Sequence, residues 1–169
     1  MNRLFNQTGD WLLPTLARTA FAAVLLGYFW ASAKTKFDAP FSPSVGAFAQ
    51  IYPRAFEAVG YDAGQMGLFA RFVVLAGGWA EFALPALIVL GLLTRLAALG
   101  MIGFVTMQSL TDVIGHGADA VTVGAWFDRA SDALILDQRA LWVVLMAILV
   151  LKGAGPLSLD RLLFRPPSA

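Results

Sequence analysis

The chain contains no cysteine. That excludes disulfides, thiol relays, iron–sulfur clusters and thiolate metal sites. It holds a single histidine, His116, so a haem held by two histidines of this chain is excluded as well. Charge is scarce: Asp, Glu, Lys and Arg make up 14% of the residues, against about 25% in an ordinary soluble domain. A net charge of +1 supplies no basic surface for nucleic acid. No P-loop, nucleophile elbow or pair of catalytic carboxylates is present.

What the chain has instead is apolar surface. Hydrophobic residues are 59% of its 169 positions, and the mean hydropathy is +0.71. So short a chain cannot bury that much apolar surface in water, so a lipid bilayer is its expected solvent. The length suits one domain, residues 1–169. The expected fold is all-α, a bundle of four transmembrane helices at about residues 11–33, 68–93, 95–114 and 134–152. Ala31-Ser32-Ala33 also looks like a signal-peptide cleavage site, but Arg18 interrupts the apolar region such a peptide needs, which favours a retained helix.

Residues 37–67 form a long connection broken by Pro40, Pro43 and Pro53. Phe48, Ile51, Tyr52, Phe56 and Val59 recur in it at helical spacing. Part of this segment is expected along the membrane surface as a short amphipathic helix, or as a cap packed over the bundle end, and the two are compatible. Pro85 predicts a kink in the second span. A tight turn is expected at Leu93-Thr94-Arg95. Gly77, Gly78, Gly91, Gly100 and Gly103 predict close helix contacts. Four spans put both termini on one side, with Arg3, Arg95, Lys152, Arg161 and Arg165. The short connections lie there too, which favours cytoplasmic termini.

Ionisable groups inside the spans are the candidates for function. Counted from the cytoplasmic edge at about 1.5 Å per residue, Arg18 lies about 10 Å deep, Glu81 about 18 Å and Gln108 about 20 Å. Glu81 and Gln108 should be level, with Arg18 long enough to reach toward Glu81. Two readings stay open. Arg18 and Glu81 form an internal pair that makes the bundle specific, or Glu81 is the acid–base group of a binding site or proton path. Gln108, Asp112 and His116 follow at four-residue spacing, on one helix face. Asp112, His116 and Asp119 are a candidate outer-face metal site for zinc, copper or manganese. The competing role for them is capping and ion pairing with Arg71, Arg129 and Arg139.

Three sets of residues together resemble the DoxX family of small bacterial integral membrane proteins. They are Arg18 and Gly27 with the basic exit at Lys34 and Lys36; Glu81 followed by Leu90-Gly91-Leu92-Leu93-Thr94-Arg95-Leu96-Ala97-Ala98; and the ending Gly153-Ala154-Gly155-Pro156-Leu157-Ser158-Leu159-Asp160-Arg161-Leu162-Leu163. The resemblance implies a multi-pass four-helix bundle in the bacterial inner membrane. It also implies membrane redox work, since some relatives are a subunit of thiosulfate:quinone oxidoreductase and others accompany oxidative-stress enzymes. Relatives that handle disulfides use cysteines, so direct thiol exchange is excluded here.

The expectation is a redox-associated membrane subunit with a quinone as its small-molecule partner. Glu81 and Arg18 would handle the proton, and Trp79, Gln108 and Arg71 would hold the quinone. The rivals are a non-catalytic anchor for an extracytoplasmic protein, acting through residues 37–67 and 115–136, and a small permease or metal-handling protein using Asp112 and His116. Catalysis and oligomeric state stay open at this point.

Overall fold

The computed structural model describes residues 2–164. Arg165 and the Arg3 side chain, used above for orientation, lie outside what is described. Within these residues four helices are long and apolar enough to cross a membrane: Gly9–Lys34, Leu68–Leu90, Thr94–Gly115 and Leu134–Lys152. They are called the first to fourth spans below.

The spans close a ring, each packed on its two neighbours: first on second, second on third, third on fourth, fourth on first. Phe21, Leu25 and Phe29 recur every four residues and form one inward stripe of the first span. They meet Ile88, Met101, Val105, Met146 and Leu149 in a core from which solvent is excluded. The opposite faces are equally apolar: Leu16, Val24, Phe69, Leu96, Leu99, Leu141 and Val144 are all exposed. Only 22–28% of each span is buried. Helices that are apolar all round with so little buried need hydrocarbon around them, and the bundle is a membrane bundle. Lys152 pairs with Asp10 at 2.6 Å, so the start of the first span and the end of the fourth lie at one end.

The turn between the second and third spans comes earlier than expected. The second span stops at Leu90, and Gly91 takes a left-handed φ of 69°. Leu92 N–H donates to the Leu87 carbonyl and Gly91 N–H to that of Ile88, which is the Schellman ending that glycine favours. Leu93 is also left-handed, and the third span begins at Thr94 rather than beyond it. Pro85 does not break the second span, which is continuous from Leu68 to Leu90.

Residues 37–67 form a cap. A short antiparallel hairpin pairs Phe37–Ala39 with Ser42–Pro43. Helices Val45–Ile51 and Pro53–Ala58 follow, the first capped by Ser44 Oγ accepting from Ala47 N–H, the second opened by Pro53 at its first position. Phe48 and Phe56 are fully buried with Ala47, Met66 and Val74. These rings pack inward against the second span, which is the cap arrangement. Gly78 permits it: a Cβ there would stand 2.6 Å from the Phe37 ring.

Candidate functional site

The second and third spans leave the Gly91 turn together and carry small residues on their facing sides. Ala76, Gly77, Ala80, Gly100 and Gly103 line a cavity of about 590 Å³ between them. Ser32 of the first span, Lys36 in the turn that follows it and residues 50–52 of the cap close it off. Gly103 therefore makes space instead of a helix contact: a Cβ there would meet nothing within 4 Å. Phe72 and Met107 also line the cavity and are 67% and 63% exposed on the lipid-facing surface, so the cavity opens sideways to lipid.

At its polar end lies Glu81, 3% exposed. Its Oε1 accepts from Ser32 Oγ at 3.2 Å, and its Oε2 lies 3.5 Å from Lys36 Nζ. Lys36 is itself buried, and donates to Ser32 Oγ at 3.0 Å and Gln50 Oε1 at 2.8 Å. Two charges withdrawn from solvent hold together best when hydrogen bonds satisfy what the pair leaves over; Ser32 and Gln50 do that for Lys36 and for Glu81 Oε1, while Glu81 Oε2 is left without a donor.

Arg18 is not the partner of Glu81. Its guanidinium donates to the carbonyls of Ile88 at 3.0 Å, Val89 at 2.5 Å, Ala154 at 3.0 Å and Leu157. The physical reason is the ending of the second span: its last carbonyls have no helical partner, and a five-donor fork beside them satisfies several at once. The Arg18–Glu81 pairing expected above is thereby corrected. Arg18 belongs to the end of the bundle where the tail returns.

Gln108 lines the cavity, and its Nε2 donates to Tyr28 OH at 2.9 Å. His116 lines it too, with Nε2 2.9 Å from the Gln50 carbonyl. A carbonyl only accepts, so Nε2 carries the proton and Nδ1 is left as an acceptor. Asp112 reaches the cavity wall from the π-turn Thr111–Gly115, but its carboxylate is taken by Arg139 at 2.6 Å. Arg139 is 3% exposed and also donates to Ser109 Oγ at 3.1 Å.

The remaining expected residues sit elsewhere. Asp119 caps the short helix Ala120–Val123, its Oδ1 2.7 Å from Thr122 N–H, and that bond holds its carboxyl below the usual carboxylate range. Among the described residues no three His, Asp or Glu side chains come together as a metal ion would require. Trp79 donates to the Pro40 carbonyl at 3.1 Å and stacks among Phe37, Phe41 and Phe82, outside the cavity. Arg71 donates to the carbonyls of Ala63 and Met66 and ties down the end of the cap. So Glu81, Gln108, Asp112 and His116 converge, and Arg18, Trp79, Arg71 and Asp119 do not.

Ser32 and Lys36 are the site residues that sequence reasoning missed. Lys36 reads as a marker of the membrane edge. The usable signal was Glu81's need for a cation, with Lys36 just past the end of the first span as a candidate.

A family model described as DoxX matches residues 13–116, more than half of the chain. The match takes in every residue lining the cavity and stops short of Arg139 and Asp160. No curated protein and no solved structure matches.

Proposed function

This chain belongs to the DoxX family, and from that premise we propose that it is a redox-associated membrane protein holding a quinone-type molecule between its second and third spans. One observation carries the reading. An apolar cavity open to lipid ends in a buried carboxylate, Glu81, whose Oε2 has no hydrogen-bond donor. Its volume falls within the range of about 300–1,000 Å³ typical of small-molecule sites. The residues fit the group: apolar walls suit a ring and its isoprenoid tail, and a polar end suits the ring oxygens.

A bound quinone would supply two-electron redox chemistry coupled to protons. The chain's own part is to orient the ring and to provide a proton site. Glu81 Oε2 is that site, 3.5 Å from Lys36 Nζ, with the carboxyl group held in place through Oε1 by Ser32. Gln108, fixed by Tyr28, and His116, fixed by the cap, set the orientation.

The reading includes a bacterial inner membrane with both termini cytoplasmic. The short Gly91–Leu93 turn, with Arg95 beside it and Lys152 at the same end of the bundle, supports that orientation.

The test is binding to the full chain in lipid nanodiscs, using a short-chain benzoquinone and its quinol. Gly103→Leu fills the cavity without touching a polar group and should abolish binding while leaving the melting temperature intact. Unchanged affinity in that variant refutes the site.

A second reading, an anchor for an extracytoplasmic protein, is favoured by Trp126 and Phe127, which stand 64% and 104% exposed in the loop between the third and fourth spans. Cross-linking from Phe127 that recovers no protein would remove it.

A further inference from the structure

The polar atoms facing the cavity are unequally spent. Every donor nitrogen facing it already has an acceptor, although the Gln50 and Gln108 amides each keep a second N–H. Lys36 Nζ donates to Ser32 Oγ, the Ser32 carbonyl and Gln50 Oε1, and stands 3.5 Å from Glu81 Oε2 without a hydrogen bond to it. Gln50 Nε2 donates to Thr35 Oγ1, Gln108 Nε2 to Tyr28 OH, and His116 Nε2 to the Gln50 carbonyl. Ser32 Oγ donates to Glu81 Oε1.

The buried cavity atoms left with no partner at all are acceptors. Glu81 Oε2 and Gln108 Oε1 are both buried with no hydrogen-bond donor. His116 Nδ1 is a third acceptor, by the tautomer that its Nε2 contact requires. Of the cavity residues, Tyr52 and Thr111 still offer hydroxyls, and a hydroxyl serves either role. A buried acceptor without a donor is costly, and a carboxylate oxygen most of all.

We infer that the cavity selects the reduced, hydroxyl-bearing quinol over the oxidised quinone. This rests on the quinone-type reading of the site. A quinol carries two O–H donors and meets the unspent acceptors directly. A quinone carries only carbonyl oxygens, which leave the buried Glu81 Oε2 and Gln108 Oε1 without a donor. The oxidised molecule is therefore the one the site releases.

The experiment compares three ligands of one ring size: a short-chain benzoquinone, its quinol, and the dimethyl ether of that quinol. Each is titrated anaerobically by calorimetry into the full chain in nanodiscs. A hydrogen bond to a charged group predicts quinol binding at least about tenfold tighter than quinone, with the dimethyl ether as weak as the quinone. Glu81→Gln places an N–H at the polar end and should narrow the preference severalfold. Gln108→Leu, which leaves the Glu81–Lys36 pair intact, should narrow it as well and serves if Glu81→Gln does not fold. Quinone binding as tightly as quinol overturns the inference and leaves the cavity reading standing. Failure of all three ligands to bind overturns both.

Discussion

Asp160 caps Thr94 from 66 residues further along the chain. Its carboxylate accepts from Thr94 N–H at 2.9 Å and from Leu93 N–H at 2.6 Å, and its own N–H donates to the Gly91 carbonyl. Leu93, the residue before the third span, has no side chain able to cap, so the tail supplies the oxygen that the helix start lacks. Asp160→Ala should lower stability by about 1 kcal/mol, and Asp160→Asn by less, because an amide keeps one acceptor. Thermal unfolding in detergent reads both. Equal melting temperatures for Ala and wild type would show the cap to be idle.

Arg18 closes the same end from the other side. Deleting its guanidinium takes a donor from the carbonyls of Val89, Ala154 and Leu157 and one of two donors from Ile88, whose carbonyl also accepts from Gly91 N–H. Arg18→Met should cost on the order of 3 kcal/mol, and Arg18→Lys should recover little, since one ammonium cannot span four acceptors set apart. Denaturant titration in mixed micelles measures it. If Arg18→Lys matches wild type, the fork geometry is irrelevant. Gly91→Ala should fail in the same way, because its Cβ would lie 2.6 Å from Ser158 Cβ and 2.8 Å from Arg18 Cζ.

Lys36 and Glu81 should be strongly non-additive. Both are buried, so Lys36→Met alone strands a carboxylate and should cost about 3–5 kcal/mol. The double variant Lys36→Met with Glu81→Leu removes both charges and should regain most of that stability. It should regain no quinol binding. A double variant as unstable as the single one would mean that the two residues do not act as a pair.

Asp119 provides a pH-dependent element outside the membrane. Hydrogen bonds from Thr122 favour its charged form, so its folded pKa lies below the ordinary carboxylate value. A depressed pKa makes the cap's contribution complete above the unfolded value and lost as pH falls through the folded one. The Asp119 carboxyl carbon, followed by NMR, should therefore titrate below a free aspartate, with the Thr122 amide shift moving in step. In Asp119→Asn the Thr122 shift should become independent of pH. A normal titration at Asp119 would contradict the cap.

The sequence alone determined a good deal. Runs of apolar residues with few charges require lipid whatever the packing, so the count of spans and their limits to within a few residues were legible. Glu81 as the group to watch was legible for the same reason, since an ionisable side chain inside a span must face something polar. Gln108, Asp112 and His116 share a face because helical spacing is local, and all three do line the cavity.

Partner choice was decided only by the tertiary structure. Arg18 on the first span and Lys36 just beyond its end are both long cations, and nothing local says which one meets Glu81. The Schellman ending at Gly91 leaves carbonyls that draw in Arg18, while the cap folds Gln50 and Lys36 down over Glu81. Whether small residues bring helices together or hold them apart was equally hidden. Gly103 faces open space, where a Cβ would meet nothing within 4 Å, and the cap's Ile51 and Tyr52 join the wall of that space. Such relations join residues far apart in the chain, and no periodicity along it encodes them.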